Sequence, residues 1–205
     1  MSKSQKKGGF TIIETMIAIS LFLVVVIIGM NSLLSANVAH QKSADMRSIL
    51  DNMNFIMEDM AKNLRTGFNY YCITGNDNLL NVAVPKSGES CWGIAFEPAT
   101  SALDDSDPNN QWVYYINGGI IYKSTRGPYD VASNFFPLNP AEIVLSSTPA
   151  ISGFAVLGAE HPAGNTQQPL ATIRLAGTIT IQNKNITTSF ALQTSVSQRL
   201  PDVSP

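Results

Sequence analysis

The chain has 205 residues, 44% of them hydrophobic and 14% charged, which is enough for one packed domain plus attachments and too apolar for a disordered tail. Its net charge is −2, and once Lys3, Lys6 and Lys7 are set aside the remainder holds 10 basic against 15 acidic residues. An acidic body of that kind argues against nucleic acid as the main partner, since neutralising phosphates needs a Lys/Arg surface.

The first element comes directly after the three lysines. From Met16 to Met30 the only polar side chain is Ser20. The 21 residues from Phe10 to Met30 would reach about 31 Å as a helix, close to the hydrocarbon thickness of a bilayer. Lysines before this stretch, and no basic residue after it until Lys42, predict a cytoplasmic N-terminus and a body outside. A small-residue cleavage site is missing from the far end, so an anchor fits better than an ordinary signal peptide. An anchor leaves Glu14 unexplained. At mid-membrane a carboxylate costs on the order of 2.5 to 3.5 kcal/mol, less near an interface, and such groups usually have a functional partner.

The residues here carry a resemblance. "KKGG" followed by "FTIIETMIAISLFLVVVIIG" resembles the N-terminus of type IV prepilins and type II secretion pseudopilins: a short basic leader, Gly, Phe, Thr, two apolar residues, Glu, then an apolar helix. The resemblance implies cleavage by a prepilin peptidase between Gly9 and Phe10 and methylation of the new Phe10 amine. It also implies that Glu14 pairs with the N-terminal amine of a neighbouring subunit. The partners so implied are the peptidase, other pilin or pseudopilin subunits, an inner-membrane assembly platform and, before assembly, membrane lipid. The location implied is the bacterial inner membrane, crossed once, and then a pilus or pseudopilus.

Beyond Met30 the chain turns amphipathic without a breaker. Met46, Ile49, Leu50, Met53, Ile56, Met57, Met60 and Leu64 recur at helical spacing, with Asp45, Arg47, Asp51, Glu58, Asp59 and Lys62 between them. One helix is predicted from about Phe10 to Thr66, with Gly67 as its C-cap and the methionine stripe facing the body. The domain plan is a leader at 1–9, a transmembrane and assembly segment at 10–34, an amphipathic segment at 35–67 and a β-rich extracytoplasmic body at 68–205. Where many major pilins have a proline this chain has Asn31.

Strand signals dominate the rest. "QWVYYINGGIIYKS" predicts a hairpin around Asn117-Gly118-Gly119, and "LATIRLAGTITIQNKNITTSFALQTSV" predicts two long strands turning near Asn183 to Asn185. Shorter strands are predicted at Asn69 to Thr74, Leu79 to Val84, Trp92 to Phe96, Glu142 to Ser146 and Ile151 to Leu157. Pro128, Pro137, Pro140 and Pro149 predict a long loop from Ser124 to Pro140, and "RLPDVSP" a frayed tail. The sum is α+β and pilin-like, a long helix against an antiparallel sheet. The hairpin and a last strand ending "QTSVSQR" resemble minor pilins and J-type pseudopilins more than major pilins, and no cysteine pair encloses the last strands.

Cys72 and Cys91 lie in no CxxC and have no histidine nearby, leaving a disulfide in an oxidising compartment or two buried thiols. "DDSDPNNQ" sets Asp105, Asp107 and Asn109 at alternate positions, as in the start of a calcium loop, and some pseudopilins bind calcium. Asn110 stands where the turn glycine belongs, however, and Ile116 where the closing glutamate belongs. A solvated acidic loop is the competing expectation, and no other cofactor is expected. Catalysis finds no GxSxG, HExxH or Walker glycine loop, and His40 and His161 read as surface residues. The expected function is that of a non-enzymatic structural subunit, minor rather than major, of a type IV pilus or secretion pseudopilus. The alternative is a signal-anchored extracytoplasmic binding domain that never assembles.

Overall fold

A computed structural model describes residues 9–75, 82, 84–100, 107, 109–160, 167–181 and 186–199. Its contacts fall into two units, one ending at Ser48 and the other beginning at Ile49. The helix α1, Ile12–Thr66, contributes to both. In the first unit it is the sole regular element among the described residues, and apart from Val26 and Met46 its apolar side chains are exposed.

In the second unit the helix becomes one-sided. Met53, Ile56, Met57, Met60 and Leu64 are buried, at the three- and four-residue spacing that lines one helical face. Against them lies antiparallel β-structure, so the fold is α+β. It is divided between two sheets. The first has the order β1 (Phe68–Ile73), β3 (Gly93–Glu97), β4 (Trp112–Asn117), β5 (Ile120–Ser124), β6 (Phe136–Pro137). The second runs β10 (Ile186–Ser197), β9 (Leu170–Ile181), β8 (Gly153–Leu157), β2 (Gly88–Cys91), with β7 (Ile143–Leu145) also paired to β9.

The β4–β5 hairpin turns through Gly118 at φ 56° and Gly119 at φ 81°. Both signs match the tight turn whose twist suits antiparallel strands, and glycine adopts them without strain. Its two strands hold the helix by a polar cluster. Asn63 donates from Nδ2 to the Tyr114 hydroxyl at 2.8 Å, Lys123 pairs with Asp59 at 3.1 Å, and the ammonium sits 4.8 Å from the Trp112 ring centre. The ion pair is partly exposed, so its worth lies more in orienting the helix than in stability.

The end of the helix is satisfied from several directions. Tyr70 donates its hydroxyl to the Leu64 carbonyl at 2.5 Å and the Arg199 amide donates to the Arg65 carbonyl at 2.8 Å. Gly67 donates to Asn63 O at 2.9 Å, but its φ is not positive; a Cβ there would collide with the Phe96 ring. Close approach, rather than a left-handed cap, accounts for this glycine. Cys72 and Cys91 are bonded, with Cα atoms 5.4 Å apart, and so join β1 of one sheet to β2 of the other.

Several sequence expectations change. The predicted loop from Ser124 to Pro140 contains a 3-10 turn, Ala132–Asn134, and the strand β6. Pro137 is tolerated because β6 is an edge strand, where a missing N–H deprives no neighbour. The strand β2 has no hydrophobic alternation to mark it in the sequence. Of the tail, Arg199 is held by the helix end, and residues 200–205 lie outside the described residues. So do most of the predicted strand Leu79 to Val84 and the turn at Asn183 to Asn185.

Two measurements test these features. Closing a loop of 19 residues should contribute about 3 kcal/mol, so Cys72→Ser with Cys91→Ser should lower the denaturant midpoint of the body accordingly. An unchanged midpoint, with the oxidised protein as reference, would refute this. Burial pushes the Tyr70, Tyr114 and Tyr129 hydroxyls above their ordinary value of 10.0. The unfolded chain then releases those protons first, so the stabilisation is complete below about pH 10 and is lost as pH rises past it. Ultraviolet titration should show three of the 6 tyrosines ionising only together with unfolding.

Candidate functional site

The described chain begins at the junction singled out in the sequence. Gly9, Phe10 and Thr11 precede the helix and carry no regular structure, and Phe10 is 81% exposed. A peptide bond in such a segment is accessible to a peptidase without unwinding a helix, and among the described residues no neighbouring atom lies within 4 Å of the space a Gly9 side chain would take.

Thr11 sets the start of α1. Its carbonyl accepts from the Thr15 amide at 3.2 Å and its Oγ1 accepts from the Glu14 amide at 3.3 Å, so it holds the N-cap position. Glu14 is then the third helical residue, and Thr11-x-x-Glu14 is the sequence signature of a capping box. Thr11 was missed as a positioning residue although that spacing was visible. A carboxylate in the first turn also faces the positive end of the helix dipole.

The remaining polar side chains of the apolar segment are satisfied within the helix. Thr15 donates its hydroxyl to the Ile12 carbonyl and Ser20 to the Ile17 carbonyl, each at 2.8 Å. Such back-bonding is what allows hydroxyls to enter an apolar medium. Glu14 differs: between Ile12 and Met30 its carboxylate is the side-chain polar group without a hydrogen-bond partner among the described residues. Around it, Ile12, Ile13, Met16, Ile17, Ile19 and Leu21 are all exposed, and the helix is long and apolar enough to cross a membrane.

The other candidates do not join this site. Asp107 Oδ1 accepts from the Asn109 amide at 2.9 Å, a local turn, and Asp105 lies outside the described residues. Among the described residues no three His, Cys, Asp or Glu side chains are grouped to hold a metal. Cys72 and Cys91 serve the body, His40 is exposed on the helix, and His161 lies outside the described residues. A shallow cavity of about 360 Å³ between α1 and the segment around Leu138 and Pro140 contains one carboxylate, Asp59, which Lys123 already neutralises. Nothing in its lining pairs a nucleophile with a base.

Comparison with known families finds one match: residues 4–30 fit the model described as "Prokaryotic N-terminal methylation motif". No curated protein and no solved structure matches the chain. The matched residues take in Lys6 and Lys7 of the basic leader, the Gly9–Phe10 junction, the Thr11 cap, Glu14 and the apolar segment of the helix to Met30. The chain therefore carries the prepilin N-terminal methylation motif of the type IV pilin and pseudopilin family.

Proposed function

We propose that this chain is a structural subunit, minor rather than major, of a type IV pilus or a type II secretion pseudopilus. The observation that carries the proposal is the Glu14 carboxylate, without a partner among the described residues and four residues after an exposed Gly9–Phe10 junction, on a helix whose other polar side chains in the apolar segment are satisfied. A prepilin peptidase removes residues 1–9 and the Phe10 amine is methylated. The subunit waits in the inner membrane with its N-terminus cytoplasmic, as the placement of Lys3, Lys6 and Lys7 favours. The assembly platform then draws it into a helical bundle, where other subunits' apolar helices replace lipid.

Glu14 acts there as a register pin. An unpaired carboxylate among apolar helices is unfavourable, and the ammonium of a neighbour's Phe10 offsets part of that cost in only one axial offset. Because desolvation opposes the attraction, the pair selects a register more than it adds stability. The body has no catalytic part in this scheme.

Processing is tested by the mass of protein extracted from membranes, which should lack residues 1–9 and carry one added methyl group on Phe10. A terminus at Met1 or Ser2 would instead identify an anchored binding domain that never assembles. Glu14→Ala should be cleaved much as the parent is, yet be depleted at least tenfold from sheared filaments or crosslinked pseudopili. Normal incorporation of that variant would refute the register role.

A further inference from the structure

We infer that the free edge of β10 pairs with β10 of a second copy of this chain, in antiparallel register about a two-fold axis through Ala191.

The edges of the two sheets are not alike. On the first sheet, β1 is covered by the segment at Lys86, which exchanges backbone bonds with Cys72 at 2.8 Å and Tyr70 at 3.0 Å. At the other end β6 is two residues long and ends in Pro137. On the second sheet, β2 has four residues and an irregular register, carries the Glu89 charge and has its Glu89 carbonyl taken by Arg174. Short length, proline, charge and irregularity are the means by which proteins keep edges from pairing.

At β10 none of these is present. The strand is 12 residues long, pairs in unbroken register with β9 alone among the described residues, and its sequence "ITTSFALQTSVS" has no proline and no charge. Its inward face is also unfinished. Phe190 and Leu192 lie on the side of the sheet where Ile173 and Leu175 are fully buried, yet both are only half-buried. Another strand alongside would cover them.

The same comparison identifies the occupant. The remaining edge strand, β7, is three residues long and gives its Leu145 amide to the Gly119 carbonyl, so among the described strands the unprotected edge a second copy offers is its own β10, and the contact is isologous and closed. A two-fold at Ala191 brings Phe190 opposite Leu192 and Thr188 opposite Thr194 on one face, and Ser189 opposite Gln193 on the other. Aromatic–aliphatic and Thr–Thr pairs are favourable across antiparallel strands, and no like charges meet. Both inner faces then lie on one side of a single continuous sheet. Such a pair does not propagate into a filament, so it is a closed form of the subunit and does not depend on the proposed function.

The test uses the full-length chain in membranes. Because Cys72 and Cys91 are bonded to each other, Ala191→Cys supplies the sole free thiol. Mild oxidation should yield a reducible dimer of the chain at least tenfold more efficiently than from Asp130→Cys, on an exposed loop. The double variant Ser189→Cys with Gln193→Cys should also dimerise, and adding Ala191→Lys should abolish that by opposing two ammonium groups at the axis. Ala191 is exposed in the single chain, so the lysine should leave the fold intact, read as an unchanged far-ultraviolet circular dichroism spectrum. A monomer from Ala191→Cys, equal yields from Asp130→Cys, or a crosslink to a different protein would each overturn the pairing. Filament entry plays no part in the readout, so failure here and failure of the assembly proposal are separate results.

Discussion

From Ile12 to Met30 α1 presents apolar side chains on every side, and from Met53 to Leu64 it presents them on one. Water tolerates neither surface, and the two have different remedies: lipid or other helices for the first, a sheet for the second. Glu14 gains meaning only within the first. In water a carboxylate on a helix would be unremarked; among apolar side chains it demands an opposite charge. The hydroxyls of Thr15 and Ser20 make no such demand, since their own helix answers it.

The second remedy organises the body. Once the methionine stripe lies on the first sheet, the groups at its margin must be placed as well. Asp59 and Asn63, on the helix, meet Lys123 and Tyr114 on the hairpin strands. The helix carbonyls left over at the end are taken by Tyr70 and Arg199, residues from the beginning and the end of the β-structure. The second sheet joins through the Cys72–Cys91 bond and a core that includes Phe154, Ile173 and Leu175. Gly88 fits this junction because a Cβ there would overlap the Cys72 sulfur.

Legibility in the sequence tracked how local the cause was. The hairpin β4–β5 could be read from two apolar runs and a glycine pair, because the turn and the strands it joins are contiguous. β9 and β10 were equally plain from their alternation. β2 was not: "GESC" has no periodicity, and its pairing with β8 arises from a segment some sixty positions away. β6 was hidden by a proline that only an edge position excuses. At the N-terminus, Gly9, Phe10 and Glu14 were legible from order and spacing. Thr11 was overlooked although its capping signature lay in the same four residues.

By itself the sequence determined the apolar segment of the helix, the position of the one carboxylate within that segment, the basic residues before it and the α+β character of the body. These depend on side-chain transfer energies and on periods of a few residues, which any stretch of chain expresses before it folds. Tertiary structure decided that the strands form two sheets, that a disulfide joins them, that Gly67 and Gly88 answer close approach, and that β10, among the described strands, is left with an open edge. Those outcomes depend on which distant strands become neighbours, and pairing energies between distant segments leave no local trace in the order of residues.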